Sequence, residues 1–96
     1  MRIYLAADAP ALKSLRDGGS VTLPAIPAES DDEADEFAAL SKAAENGAAV
    51  VVAEVGRTDQ PVTLSEVEAL HVDADGTGDL AWYATQEIDA VIELLG

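Results

Sequence analysis

The pattern of apolar and polar positions predicts a chain in which strands alternate with helices. Residues 48–55, Ala-Ala-Val-Val-Val-Ala-Glu-Val, form an apolar run of strand length that is rich in β-branched side chains. Such a run is typical of a strand buried on both faces, so we predict the centre of the sheet there. Alternation at the start of the chain predicts a first strand over residues 2–6, and late strands are predicted over residues 70–72 and 80–84.

Capping signals predict three helices. Asp8 is the predicted cap of the first helix, and Ser30 with Glu33 forms a capping box at the start of the second. Thr85 is the predicted cap of the third helix. The third helix also has an apolar stripe spaced i, i+3, i+4 and i+7, which consists of Ile88, Val91, Ile92 and Leu95.

The second predicted helix carries the densest charge in the chain, with six acids in the eight positions 29–36. Carboxylates in a first turn stabilise the positive end of the helix dipole. At about 100° per residue, the apolar side of this helix is predicted to face the sheet and its acidic arc to face water. The predicted buried side consists of Ala34, Phe37, Leu40, Ser41 and Ala44, and the acidic arc of Asp31, Asp32, Asp35 and Glu36.

The order of these elements predicts the fold class. A β-α-β-α-β order, followed by a short helical turn, two strands and a helix, is typical of an α/β (α+β) fold. We predict a single mixed β-sheet of about four or five strands with three helices packed on it. Helical crossovers are predicted to join parallel strands in the first half, and a hairpin to join the last two strands. Residues 1–96 are predicted to form a single compact domain.

Composition narrows the classes of partner. The chain has 5 Lys plus Arg against 19 Asp plus Glu, a formal charge of −14, and no Cys. Disulfide scaffolds, Cys-ligated zinc and thiol chemistry are therefore excluded. Nucleic acid and anionic membranes would be repelled, whereas a basic protein is a fitting partner and homo-oligomers stay possible. With no apolar stretch as long as a membrane span, the chain is expected to be cytoplasmic.

Catalytic machinery is sparse. His71, the single histidine, and Asp73 lie two positions apart, so on a strand they share a face where the carboxylate could orient the imidazole. No Gly-x-Ser-x-Gly or phosphate-binding glycine motif is present, so no catalytic, cofactor or metal residue is expected. Residues 73–79 partly match a calcium-binding loop, but Ala84 stands where a bidentate Glu is needed, so a tight turn is expected instead.

Trp82 and Tyr83 are neighbours on a predicted strand and so point to opposite faces. Trp82 is in phase with Leu80 and Ala84, which predicts that Trp82 belongs to the core. Tyr83 is then the candidate for an edge contact or a pocket wall.

Three stretches together carry a resemblance. The chain opens on Met-Arg-Ile-Tyr-Leu, has a late Leu-His-Val-Asp and closes on Trp-Tyr-Ala-Thr-Gln-Glu. In these it resembles a family of short actinobacterial proteins of uncharacterised function. The resemblance implies a compact bacterial domain without an assigned activity. It also directs attention to His71, Asp73, Trp82, Tyr83 and Glu87.

We therefore expect a non-enzymatic protein-interaction module. One alternative is a small-ligand or enzymatic site around His71, Asp73 and Tyr83, with Glu87 at the start of the last helix. Another is a DNA-mimicking acidic inhibitor, because the acids of residues 29–36 repeat at nearly the spacing of duplex phosphates. The interaction face would in that case be the acidic arc of the second helix.

Overall fold

A computed structural model describes residues 1–28, 30, 32–57, 60–73 and 80–95. Within these ranges, five strands form the main sheet in the order β3-β1-β4-β6-β7, and β2 pairs with β5 in a small second sheet. Three α-helices pack on the main sheet, so the predicted fold class is confirmed. The strands are β1 Arg2–Ala7, β2 Ser20–Val21, β3 Ala25–Pro27, β4 Ala49–Glu54, β5 Val62–Thr63, β6 Val67–Val72 and β7 Ala81–Ala84; the helices are α1 Ala9–Arg16, α2 Glu33–Ala44 and α3 Ile88–Leu95.

The central strand is the one that the sequence predicts. Two strands of the main sheet lie on each side of β4, and its first five residues are buried. Its apolar, β-branched side chains face a helical layer on both sides of the sheet, which is why the run shows no polar alternation.

Strand orientation differs from the prediction. Every hydrogen-bonded pair among the described strands is antiparallel. The crossover through α2 does join two parallel strands, β3 and β4, but β1 lies between them. The prolines Pro24 and Pro27 limit β3 to three residues, because proline cannot donate to a ladder. β4 instead pairs with all six residues of β1, which gives a longer ladder.

The sheet has two unequally covered faces. The α1/α3 face presents Ile3, Leu5, Val51 and Leu70 to helices α1 and α3, and these residues form the larger core. The α2 face presents the four residues Tyr4, Val50, Val52 and Ala69, which form a smaller core with α2. Two helices therefore cover one face and a single α-helix of the described chain covers the other.

Helix α2 lies on the sheet in a different rotation from the predicted one. Its buried residues are Ala39 and Ala43, whereas Phe37 is 59% exposed. The prediction was wrong by about one residue's 100° of rotation. Apolar residues occur around much of the circumference of α2, so the periodicity of its sequence does not determine which side is buried. With Ala39 and Ala43 against the sheet, the helix approaches more closely than it would with Phe37 there.

Two predicted caps also differ in detail. The side chain of Asp32, not Ser30, caps α2 by accepting from the Ala34 N–H at 3.0 Å. A 3₁₀ turn at Thr85–Glu87 precedes α3. The Thr85 hydroxyl donates to the Val67 carbonyl at 2.9 Å, and the Glu87 carboxylate accepts from the Ala84 N–H at 2.9 Å. The predicted cap Asp8 is confirmed by its bond from the Ala11 N–H.

The described residues form a single small α/β domain. Among its helices, none is long and apolar enough to cross a membrane.

Candidate functional site

The half of the α2 face that lies over β6 and β7 is not covered by a helix in the described residues. α2 packs against β1, β3 and β4, whereas α3 covers β6 and β7 from the opposite side. We call the uncovered area the open strip; its residues are Ala69, His71, Trp82 and Ala84, which face each other in pairs across β6 and β7.

A groove runs between α2 and the open strip. It has a volume of about 350 Å³, with Phe37 and Leu40 on the helix wall and His71 and Trp82 on the strand wall. A second depression of about 420 Å³ adjoins it towards the C-terminal end of α2. The second depression is lined by Ser41, Ala44, Glu45, Val50, Asp73 and Leu80, among others. Because Val50 pairs with His71, both depressions belong to the same side of the sheet.

Two aromatic side chains are exposed in this groove. Trp82 is 62% exposed and Phe37 59% exposed, although they are large apolar groups. The chain contains four aromatic residues, and three of them line this groove: Phe37 and Trp82, which are exposed, and Tyr4, which is buried. Contiguous exposed apolar surface of this kind is typical of interaction sites.

The predicted roles of the two adjacent aromatics are reversed. Tyr83 pairs with Leu70 and packs against the larger core, whereas Trp82 is exposed. The sequence correctly places them on opposite faces. It cannot tell which face of β7 a helix covers, because α3 reaches that position only through the tertiary fold.

His71 lies half-buried opposite Trp82. Burial lowers the pKa of the imidazole below its ordinary value, so the side chain is neutral at pH 7. A neutral imidazole can donate one hydrogen bond and accept another in the groove without adding charge.

The five candidate site residues are only partly brought together. His71, Asp73 and Trp82 share the α2 face, where His71 and Trp82 line the groove and Asp73 lines the second depression. Tyr83 points to the other side of the sheet, and the Glu87 carboxylate bonds the Ala84 N–H. The proposed grouping of His71, Asp73 and Tyr83 is therefore not assembled. Tyr83 follows Trp82 on β7, and consecutive residues of a strand point to opposite faces. Of residues 73–79, where a tight turn was expected rather than a calcium-binding loop, all but Asp73 lie outside the described residues.

One end of the groove is closed by charged groups. Arg2 on β1 forms ion pairs with Glu36 of α2 and with Glu68 of β6, the latter at 3.2 Å. The hydrogen bond that Arg2 donates to Glu36 raises the pKa of the guanidinium above its already high value. The Tyr4 hydroxyl donates to the same Glu36 carboxylate at 3.2 Å, and burial, followed by the Glu36 charge, raises the pKa of Tyr4.

The predicted acidic arc is not a single solvent-facing surface. Asp32 caps the helix, Asp35 accepts a 2.6 Å hydrogen bond from the Ser30 hydroxyl, and Glu36 is half-buried against the groove. The rotation of α2 turns Glu36 towards Arg2, which corrects its predicted place in the arc. Asp31 lies outside the described residues.

Sequence reasoning missed Phe37, Leu40, Arg2 and Glu68 as groove residues. Glu68 reaches the groove because β6 has an irregular register, in which Val52 pairs with Ala69 and Ala53 with Val67. Such an extra residue re-aims a side chain, and no short-range signal in the sequence marks it.

Comparisons with known protein families, with characterised proteins and with solved structures find no match. What the groove can bind therefore follows from its own residues. No group of three or more His, Asp or Glu side chains in the described part of the chain is placed to hold a metal ion.

Proposed function

We propose that the protein is a non-enzymatic interaction module that binds a basic segment of a partner protein in the groove between α2 and the open strip. The observation that carries this proposal is the exposure of Phe37 and Trp82 on opposite walls of the same groove. Large aromatic side chains dominate the energetics of protein interfaces, because they bury much apolar area with few rotatable bonds.

Apolar contact supplies the first part of the binding free energy. Leu40 and Ala69 extend the apolar lining between the two aromatics. Burying a large side chain in such a site contributes on the order of 1.5–3 kcal/mol. A partner residue that fills the space between Phe37 and Trp82 would shield both from water.

Charge supplies the preference for a basic partner. Among the described residues, four carboxylates and a single guanidinium line the groove and the adjoining depression. The guanidinium is ion-paired with two of the carboxylates, so these groups keep an excess of three negative charges, and His71, whose pKa is lowered by burial, adds no positive charge at pH 7. The formal charge of −14 attracts cationic segments from a distance and repels a second copy of the same chain. The four carboxylates belong to Glu36, Glu45, Glu68 and Asp73, and the guanidinium to Arg2.

The two other hypotheses receive less support. A DNA mimic needs a continuous array of solvent-facing carboxylates, but Asp32, Asp35 and Glu36 have hydrogen-bonding roles inside the chain. The enzymatic site suggested around His71, Asp73 and Tyr83 is divided by the sheet, because Tyr83 lies on the opposite face from the other two residues.

The test is selection of binding peptides with the full chain. A display library of random 16-residue peptides is selected on the wild-type protein after depletion on the double variant Phe37→Ala, Trp82→Ala. We expect the enriched peptides to carry net positive charge and apolar side chains. The peptides should bind wild type at least about tenfold more tightly than they bind the double variant.

The matched control is Leu94→Ala, because Leu94 is 47% exposed on α3, away from the groove. This variant should bind the enriched peptides as wild type does. Equal binding to the groove double variant, or the recovery of no peptide above background, would count against the proposal. Binding of a DNA-binding protein that is lost when Asp32 and Asp35 are changed to asparagine would instead favour the mimic.

A further inference from the structure

The dimensions of the open strip match one α-helix. The strip is two strands wide, about 10 Å at 4.7–4.9 Å per strand, which equals the diameter of a helix with its side chains. The two-stranded part of the strip, where Ala69–Val72 pair with Ala81–Ala84, is about 13 Å long, which is the length of about nine helical residues. All six residues of β6 extend for about 20 Å, the length of about 14 helical residues.

The layers that the described residues form around the sheet leave space for that helix. On the α1/α3 face, two helices lie side by side and cover strands β1, β4, β6 and β7. On the α2 face, α2 covers only the β3, β1 and β4 side of the sheet. A further helix beside α2 would complete the second layer. It would contact Phe37 on the neighbouring helix and Trp82 on the sheet beneath it.

The charges are arranged along the length of the same space. Glu36 and Glu68 lie at one end, where they share the guanidinium of Arg2 and leave one net negative charge. Glu45 and Asp73 line the other end. The middle is apolar and aromatic, with Phe37, Leu40 and Trp82. A helix with basic residues in both its first and last turns and an apolar stripe between them is complementary to this order.

We propose that the groove binds its partner as a basic amphipathic α-helix that lies along the open strip beside α2. This inference rests on the proposed function and adds the conformation and the pattern of the bound segment. The binding mode is a helix in a groove, with anchors spaced i, i+3, i+4 and i+7. The formal charge of −14 on each chain disfavours a second copy as the occupant, because the two chains would repel each other.

The test compares two 14-residue peptides that have the same composition of Leu, Ala and Lys. In the first, Leu recurs at i, i+3, i+4 and i+7 and Lys occupies both ends; in the second, Leu alternates with the other residues. Neither peptide contains tryptophan, so the emission of Trp82, the single tryptophan of the protein, reports binding directly. We expect the helix-patterned peptide to shift the emission to shorter wavelength and to bind at least about tenfold more tightly than its isomer.

Variants locate the bound peptide. Phe37→Ala should weaken binding of the helix-patterned peptide at least about tenfold, and Phe37→Leu should restore most of it. Glu45→Gln should weaken it by about two- to threefold, whereas Glu93→Gln, the same change on α3, should have no effect. A central proline in the peptide should abolish binding, and circular dichroism should show the peptide gaining helix when bound.

The outcomes separate the two proposals. Tighter binding of the alternating isomer, sensitive to Phe37→Ala, would overturn the helical inference and leave the interaction groove standing. Binding of the helix-patterned peptide that is unaffected by Phe37→Ala would overturn the location. If neither peptide binds and the library selection also recovers none, both the groove function and its helical ligand are wrong.

Discussion

His71 and Trp82 lie directly opposite each other on neighbouring strands, with both side chains on the α2 face. The single imidazole of the protein therefore adjoins its single indole. A protonated imidazole quenches indole fluorescence more strongly than a neutral one does. The emission of Trp82 is thus an internal reporter of the charge on His71.

We predict that Trp82 emission falls as the pH is lowered, with a midpoint below 6.5, because burial lowers the pKa of His71. The measurement is a fluorescence titration between pH 8 and pH 5. His71→Gln should remove this transition and leave the emission at high pH nearly unchanged. A midpoint above 6.5 would mean that the surrounding carboxylates outweigh the effect of burial.

The same pKa shift predicts how stability depends on pH. In the unfolded chain, His71 takes up its proton around pH 6.5, whereas the folded chain takes it up at lower pH. The unfolded state therefore binds more protons in this window, and the free energy of unfolding falls as pH drops from 6.5 towards the folded-state pKa. Urea unfolding of wild type and of His71→Gln at several pH values checks this: the difference between the two should change within the window and level off outside it.

The rotation of α2 is testable by two substitutions of opposite kind. Ala43 is fully buried against the sheet, so Ala43→Leu should destabilise the protein by about 1–3 kcal/mol through overpacking. Phe37→Ala should change the free energy of unfolding by less than about 1 kcal/mol, because Phe37 is mostly exposed. The control Ala38→Leu, at an exposed position of the same helix, should be close to neutral. A loss of about 3 kcal/mol or more in Phe37→Ala would restore the rotation predicted from sequence.

A close backbone approach at Gly47 sets the path from α2 into β4. A Cβ atom at this position would lie 2.8 Å from the Ala7 nitrogen and 3.0 Å from the Ala6 carbonyl carbon. Gly47→Ala should therefore destabilise the protein by about 1–3 kcal/mol, because the backbone of β1 would have to shift. Gly56→Ala is the matched control, since the nearest atom there is the Gln60 side-chain oxygen at 3.7 Å. Equal thermal unfolding temperatures for the two variants would contradict this account.

Local signals were enough for the three α-helices and for β1, β4, β6 and β7 of the main sheet, but not for the short strands β3 and β5. The run of residues 48–55 identifies β4, because burial on both faces removes polar residues from the strand itself. The strand pairing was not predictable in this way, since the position of β1 between β3 and β4 depends on contacts between distant residues. Neighbouring residues carry no information about that pairing.

The candidate site, like the fold, could be predicted from the sequence only in part. Alternation correctly separates Trp82 from Tyr83, but the exposed member of the pair depends on where α3 packs. Similarly, the apolar residues of α2 do not specify which side meets the sheet, so the exposure of Phe37 becomes visible only with the fold assembled. The groove is thus a property of helix placement, which the sequence pattern leaves open.

The two edges of the main sheet differ in how they resist pairing with another chain. β3 is short and ends in proline, whereas β7, Ala-Trp-Tyr-Ala, has neither proline nor charge. β7 is protected by its short length of four residues and by the Glu87 carboxylate, which accepts the hydrogen bond of the Ala84 N–H. Near pH 4.1, the isoelectric point of the chain, carboxylates have bound enough protons to cancel the net charge, and the mutual repulsion between copies disappears. Aggregation should then begin by edge-to-edge growth from β7, and storage at neutral pH and low salt should prevent it.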